Sequence, residues 1–176
     1  MKYIKVIGLI CCVFLVCNLH AQQAINTAKS SVEFTIDNLG LEVEGRIRGL
    51  TGQITFDERN LSVGKFSISI PVKGLRTDNK MRDEHLQEEE FFHVAKYPKI
   101  TFVSERIEQN SNGYQVMGKL TIKGKTKEVV IPFRKAENRF WGQFSLDRKD
   151  YDIGGNGFLN TIGDEVNIKI NCIVGE

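Results

Sequence analysis

Cysteine, proline, tryptophan and histidine are scarce in this 176-residue chain, and each scarcity closes off a class of function. Three of the four cysteines, Cys11, Cys12 and Cys17, fall in the first twenty residues, which leaves Cys172 alone. One thiol forms no internal disulfide, so the fold rests on its packed core. Cys172 stands in an alternating apolar run between Asn171 and Ile173, with no base beside it, and reads as a small buried apolar residue rather than a nucleophile. With only three prolines and no low-complexity tract, the chain offers no domain linker. A Gly-x-Ser-x-Gly nucleophile elbow is absent, and no Ser pairs with a His and an acid, so acyl-transfer chemistry has no seed.

The start of the chain has a different composition from the rest. Met1 to Lys5 is a short positive region, Val6 to Val16 is apolar almost throughout, and Ala21 offers a small residue at a cleavage position. This pattern predicts a secretory signal peptide over residues 1–21, since the apolar run is too short for a membrane span. The expected mature protein is one domain, residues 22–176, exported and either periplasmic or secreted. Val16 precedes Cys17 where a lipoprotein signal carries a small residue, which argues against a lipid anchor there. Of 24 Lys and Arg, Lys2 and Lys5 belong to the leader, leaving 22 against the 22 Asp and Glu. A formally neutral mature chain with no basic run excludes nucleic acid as the expected partner.

What is abundant is alternation. Val32, Phe34 and Ile36 share one face of a run whose other face is polar, as do Leu41, Val43 and Ile47. Ile54 and Phe56, then Phe66, Ile68, Ile70 and Val72, repeat the pattern. It resumes with Ile100 and Phe102, with Tyr114, Val116, Leu120 and Ile122, and with Val129, Ile131 and Phe133. Phe140, Phe144 and Leu146 follow, and Val166, Ile168, Ile170, Cys172 and Val174 close the chain. A period of two marks half-buried strands. Between them, Asn112-Gly113, Lys123-Gly124 and Glu137-Asn138 supply turn residues that accept positive φ. Many strands, short turns and one domain predict an all-β fold. The expected form is a closed antiparallel barrel of about eight to ten strands, which removes edge strands and at that size can enclose one small ligand.

One stretch breaks the rhythm. Residues 78–92 gather charge from Arg82 to Glu90 and end in Phe91-Phe92, before Tyr97-Pro98 leads back to a strand. The expectation is a short helical insertion begun by Asp78 or Asp83, with Leu86 inward and Phe91 and Phe92 anchoring it as a cap. Met81 and Tyr97 are further lid candidates. His85 and His93 are the only histidines after the leader and lie among acids. Eight residues apart, they sit about 80° apart on an ideal helix, and a surface His among acids fits better than a metal site. Glu88-Glu89-Glu90 reads as a solvated face rather than paired catalytic carboxylates. Gly154-Gly155-Asn156-Gly157 lacks a strand–turn–helix context and reads as a loop rather than a phosphate cradle. No catalytic residue, metal ligand or cofactor site is assigned.

Several of these segments together carry a family resemblance. Arg82-Asp83-x-His85-Leu86, Glu90-Phe91-Phe92, Ala95-Lys96-Tyr97-Pro98 and Thr101-Phe102-x-Ser104 follow one another in the order of the YceI-like signature. Downstream, the hairpin from Gly118 through Gly124 to Thr126 with Val129 and Pro132, then Arg148-x-Asp150-Tyr151-x-Ile153-Gly154 and Gly163-Asp164-Glu165-Val166, continue the match. The chain resembles this family over essentially its whole mature length. The resemblance implies a lipocalin-like barrel and a long isoprenoid lipid or isoprenoid quinone bound inside it, without catalysis. Family members often carry Asp and His-Ser in the first strand. Here Asn26, Lys29-Ser30 and Asp37-Asn38 stand instead, so no head-group contact is carried over from there.

The expected apolar lining is Phe34, Ile36, Val43, Ile47, Phe56, Phe66, Ile68, Ile70, Phe91, Phe92, Phe102, Leu120, Ile131, Phe133, Phe144, Ile168 and Ile170. Arg76, Arg82, His85 and Tyr97 are the expected mouth residues, with guanidinium suited to an anionic head such as pyrophosphate. Two other readings stand beside the carrier. One is a lipid-modifying or metal-dependent enzyme centred on His85 and His93. The other is a stress-response module with a filled core. A monomer or homodimer and transient membrane contact fit a carrier.

Overall fold

The computed structural model describes residues 22–155 and 161–175. The expected signal peptide, residues 1–21, lies outside the described residues, as do Asn156 and Gly157 of the Gly-rich loop. In chain order the elements are β1 (Gln23–Ala24), β2 (Ser31–Asn38), β3 (Leu41–Ile47), β4 (Thr51–Thr55) and β5 (Lys65–Pro71). Next come β6 (Leu75–Arg76), α1 (Lys80–His85), β7 (Lys99–Asn110), β8 (Gly113–Ile122) and β9 (Lys125–Ala136). β10 (Arg139–Asp147) is followed by a 3-10 turn, Arg148–Tyr151, and by β11 (Ile162–Ile173).

The fold is all-β. A single antiparallel sheet of eleven strands runs β1-β4-β5-β7-β8-β9-β10-β11-β2-β3-β6 and curls around a common interior. The count exceeds the eight to ten expected because β1 and β6 have two residues each, too short to display a period. The sheet's ends are β1 and β6, and among the described residues no strand pairing joins them. The architecture is therefore a curled half-barrel rather than the fully closed ladder expected.

Turn chemistry sets the register. Lys123 and Gly124 both take positive φ, 48° and 74°, between the paired Ile122 and Lys125, which matches the twist of a two-residue hairpin. Leu39 and Gly40 do the same at 57° and 77° between the paired Asn38 and Leu41. With register fixed, even-numbered residues of β2 and β8 and odd-numbered residues of β9 point inward together.

One ladder between long strands is short. β8 and β9 pair from Tyr114↔Phe133 to Ile122↔Lys125, and β10 pairs with β11 over its whole length. β9 and β10 pair only from Arg139↔Ala136 to Gly142↔Phe133. The ladder stops beside Pro132, which has no N–H to donate. Beyond that point the two strands splay, and the 3-10 turn is tied to β9 by Lys127 to Asp150 at 3.0 Å. Lys125 reaches Asp152, just past the turn, at 3.0 Å.

Asn79, not Asp78 or Asp83, caps α1, its side chain accepting from the Arg82 N–H at 3.0 Å. Asp78 instead takes φ 57° and pairs with Arg46 at 3.0 Å. Asp83 turns back to accept from both the N–H and Oγ1 of Thr77, at 2.8 and 2.7 Å. The helix has six residues, a short helical insertion as expected. Past it, residues 86–97 form successive turns, with Glu90 O accepting from Gly154 N at 3.0 Å and Lys123 Nζ at 3.0 Å.

Candidate functional site: an apolar cavity inside the sheet

The inward faces of β2–β5 and β7–β11 enclose a cavity of about 260 Å³. Small-molecule pockets run about 300–1,000 Å³, so this is a narrow one. Its wall is almost wholly aliphatic and aromatic. Of the predicted lining residues, all but Phe56 border it. Phe56 follows β4 and packs below the cavity, edge-on to Tyr114, Phe133 and Phe140 at centroid distances of 5.0, 5.7 and 5.6 Å. With Phe66, these rings close one end as a floor. Cys172 is buried in the same core cluster, and desolvation pushes its thiol up to about 11 despite a hydrogen bond from Ser30. It is an inert apolar residue, as expected.

Two inward positions lack side chains for a spatial reason. A Cβ at Gly45 would collide with the ring of Phe34 across the strand pair, and one at Gly118 would collide with the ring of Phe102 and the β7 backbone. The rings lie flat over these glycines, which keeps the interior open.

At the other end, polar groups appear. Arg82 lines the cavity with Thr77 and Asn38. Its Nε donates to Thr77 Oγ1 at 2.7 Å and its Nη2 to Thr77 O at 2.8 Å. Asp83, holding the same Thr77, forms no ion pair with Arg82. The guanidinium borders an apolar space and meets the Asp83 carboxylate only through the shared Thr77 hydroxyl.

Arg148 was missed as a site residue by sequence reasoning, although its motif was noted. It is 3% exposed and borders the cavity. Nε donates to Gly163 O, Nη1 to Ile153 O and Gly154 O, and Nη2 to Ile162 O and to Asp164 Oδ1 at 3.1 Å. All its donors are thus spent holding the two ends of the loop before β11. The hydrogen bond from Lys149, with the charges of Lys149 and Arg148, holds the Asp164 carboxyl below its usual range. Burial pushes the Tyr151 phenol up to about 12, with Asp150 adding to the effect.

The other predicted mouth residues do not border the cavity. Arg76 donates to the backbone carbonyls of Lys73 and Leu75, at 2.8 and 2.5 Å. His85 lies edge-on to Phe91 at 4.8 Å and 3.7 Å from Glu90, on the outside of the cap. Tyr97 packs on Gly124 and edge-on to His93. His85 and His93 belong to separate ring pairs, and no group of three metal-ligating side chains converges among the described residues. Leu86, Phe91 and Phe92 do cap the cavity from above, whereas Met81, a lid candidate, is fully exposed.

The YceI-like domain model matches residues 23–174. The chain belongs to the YceI-like family. A UPF0312 protein of Yersinia enterocolitica is 34% identical over 128 residues, covering 71% of this chain and 65% of the relative. The chain thus spans just under two thirds of that curated relative's length. Among solved structures, BcnA of Burkholderia cenocepacia superposes with a TM-score of 0.79 at 29% identity, covering 86% of this chain and 99% of that one. A polyisoprenoid-binding domain from Saccharophagus degradans shares the fold at a TM-score of 0.66 and 15% identity, over 86% of this chain and 97% of its own.

Proposed function

We propose that this protein is an exported carrier that holds a long isoprenoid chain, as a polyisoprenoid lipid or the tail of a quinone, inside the curled sheet. The observation that carries the reading is the cavity: walled almost wholly by aliphatic and aromatic side chains, floored by aromatic rings, with Asn38, Thr77 and the Arg82 guanidinium at the opposite end. The domain from Saccharophagus degradans, which shares the fold, is described as polyisoprenoid-binding, and this supports the same ligand class. Residues 1–21 support the export step.

Binding needs no bond-making step. Each methylene-sized carbon moved from water into the cavity contributes about 0.8 kcal/mol. A chain of several isoprene units therefore offsets the cost of association by burial alone. A narrow interior admits a flexible chain end-on and leaves its head near Asn38, Thr77 and Arg82. There the Arg82 guanidinium favours an oxygen-rich or anionic head, because the alternative is a charge facing hydrocarbon.

Mass spectrometry of the lipid extract from natively purified protein tests the proposal. A near-stoichiometric isoprenoid, identified by its five-carbon mass ladder, is the expected result, and a quinone head announces itself by absorbance. An extract with no apolar ligand would defeat the carrier reading and favour a filled-core module.

A further inference from the structure

We propose that the rim made by the β2–β3 hairpin and α1 is a bilayer-docking surface, through which the ligand passes between a membrane and the cavity. The inference rests on the carrier reading above and adds the partner with which the carrier exchanges.

Three large apolar side chains stand in solvent here. Leu39 is 73% exposed, Leu41 72% and Met81 81%. Leu39 also occupies the left-handed region, at φ 57°, where Asn or Gly is at home and a bulky residue is strained. The tip is firmly built all the same: Asn38 and Leu41 pair, Gly40 N donates to Asp37 Oδ1 at 3.1 Å, and Leu39 N donates to Thr161 O at 3.1 Å. A fixed turn that presents a strained leucine to water gains nothing in water.

The position of Leu41 selects the occupant. On β3, Leu41 continues the alternation of Val43 and Ile47, which line the cavity. The inner apolar wall therefore runs out past its own mouth and ends in solvent at Leu41. Across the mouth, α1 carries Arg82 into the cavity and Met81 outward. A ligand leaving along this track meets water unless the rim is set in a hydrocarbon phase, and a bilayer supplies that phase.

Charge on the rim argues for apolar insertion rather than attraction to anionic lipid. Arg46 pairs with Asp78 at 3.0 Å and Lys80 with Glu84 at 3.8 Å. Arg46 and Lys80 are thereby answered by acids, Arg82 is turned into the cavity, and no exposed basic cluster stands on the rim among the described residues. The other exposed apolar residues, Val103 and Val130, sit within β7 and β9 and serve as internal controls.

Flotation of the purified protein with vesicles of phosphatidylcholine alone tests this. The unaltered protein floats, and raising salt to about 1 M, where charges are screened within roughly 3 Å, changes its partition coefficient less than twofold. A Leu39→Ser, Leu41→Ser, Met81→Ser variant loses at least about tenfold in partitioning. It keeps its Tm, while Val103→Ser with Val130→Ser floats like the unaltered protein. Flotation of the triple variant at full strength overturns the proposal. So does failure of the unaltered protein to float, flotation that requires anionic lipid and vanishes in salt, or a self-association lost in the triple variant, which gives the rim to a second copy. Lipid recovered without flotation overturns docking and leaves the carrier reading intact. Flotation with no lipid recovered does the reverse.

Discussion

The cavity has two walls built from the same alternation, and they differ in what stands opposite each side chain. On β4, β5, β7, β8 and β9, inward residues such as Ile54, Phe66, Phe102, Val116, Leu120 and Ile131 are buried against one another. On β2, β3, β10 and β11, the inward residues Val32, Phe34, Ile36, Val43, Phe144, Val166 and Ile168 are only half-buried, although they point the same way. Strand period decides which way a side chain points. Whether it meets a neighbour there depends on the floor rings, on Gly45 and Gly118, and on where the cap lies. Both walls border the cavity, but the first is mostly packed core and the second is mostly half-open. The first holds the fold, and the second leaves room for something else.

The strongest test of this division is on the packed side. Phe133→Ala removes the ring shared by Phe56, Phe66, Tyr114 and Phe140, and is expected to cost about 3–5 kcal/mol, read as a lower denaturant midpoint. Equal losses at Phe133 and at Ile168 would abolish the distinction. Next comes Arg148→Met, which strips the charge from four carbonyls and Asp164 where the two walls meet. A loss of about 2–3 kcal/mol is expected, with the largest rise in amide exchange around Gly163.

On the open wall, Ile168→Ala is expected to cost about 1 kcal/mol, because much of the side chain already faces free space, yet to lower the amount of co-purified lipid. Ile168→Trp sharpens the contrast by filling the cavity. Stability holds within about 1 kcal/mol while bound lipid falls at least tenfold, measured on one preparation by unfolding and by extraction.

The smallest effects are in pH. The Asp164 carboxyl sits below its ordinary value of 3.8, so its contribution is present above that pH and is lost as pH falls through the lower folded value. Asp164→Asn should flatten the acid limb of stability against pH. Tyr151 is raised from 10.0 to about 12, so its contribution is complete below pH 10 and drains away towards pH 12. Tyr151→Phe should remove that alkaline slope, monitored by thermal unfolding across the window.

These regions also differ in how well the sequence announced them. Period two located the long strands and nearly the whole lining, because direction is a local property of a strand. Phe56 alternates with Ile54 yet leaves the cavity, because β4 ends at Thr55 and the chain turns beneath the floor. Arg76, His85 and Tyr97 were placed at the mouth by their chemistry, which says nothing about which side of a cap they occupy. Arg148 reads as an ordinary surface charge until the four carbonyls gathered on it are seen. The splayed ladder did leave a signal: Pro132 inside an alternating run marks a strand that lacks a partner on one side. The docking rim had a fainter one, Leu39-Gly40 in a turn where Asn-Gly would be ordinary.

That splayed ladder sets a clock. Four residue pairs join β9 to β10, against nine between β10 and β11. The exposed lysine–aspartate ties across the gap contribute at most about 1 kcal/mol each. Among the long strands the sheet parts most readily here, and the amides facing the gap from Lys127 to Ile131 and from Gln143 to Asp147 exchange before those facing β8 and β11. A ligand held by burial alone dwells for as long as its enclosure stays shut. Where the gap participates in release, residence time follows the opening rate of this four-pair ladder rather than the strength of any contact with the ligand.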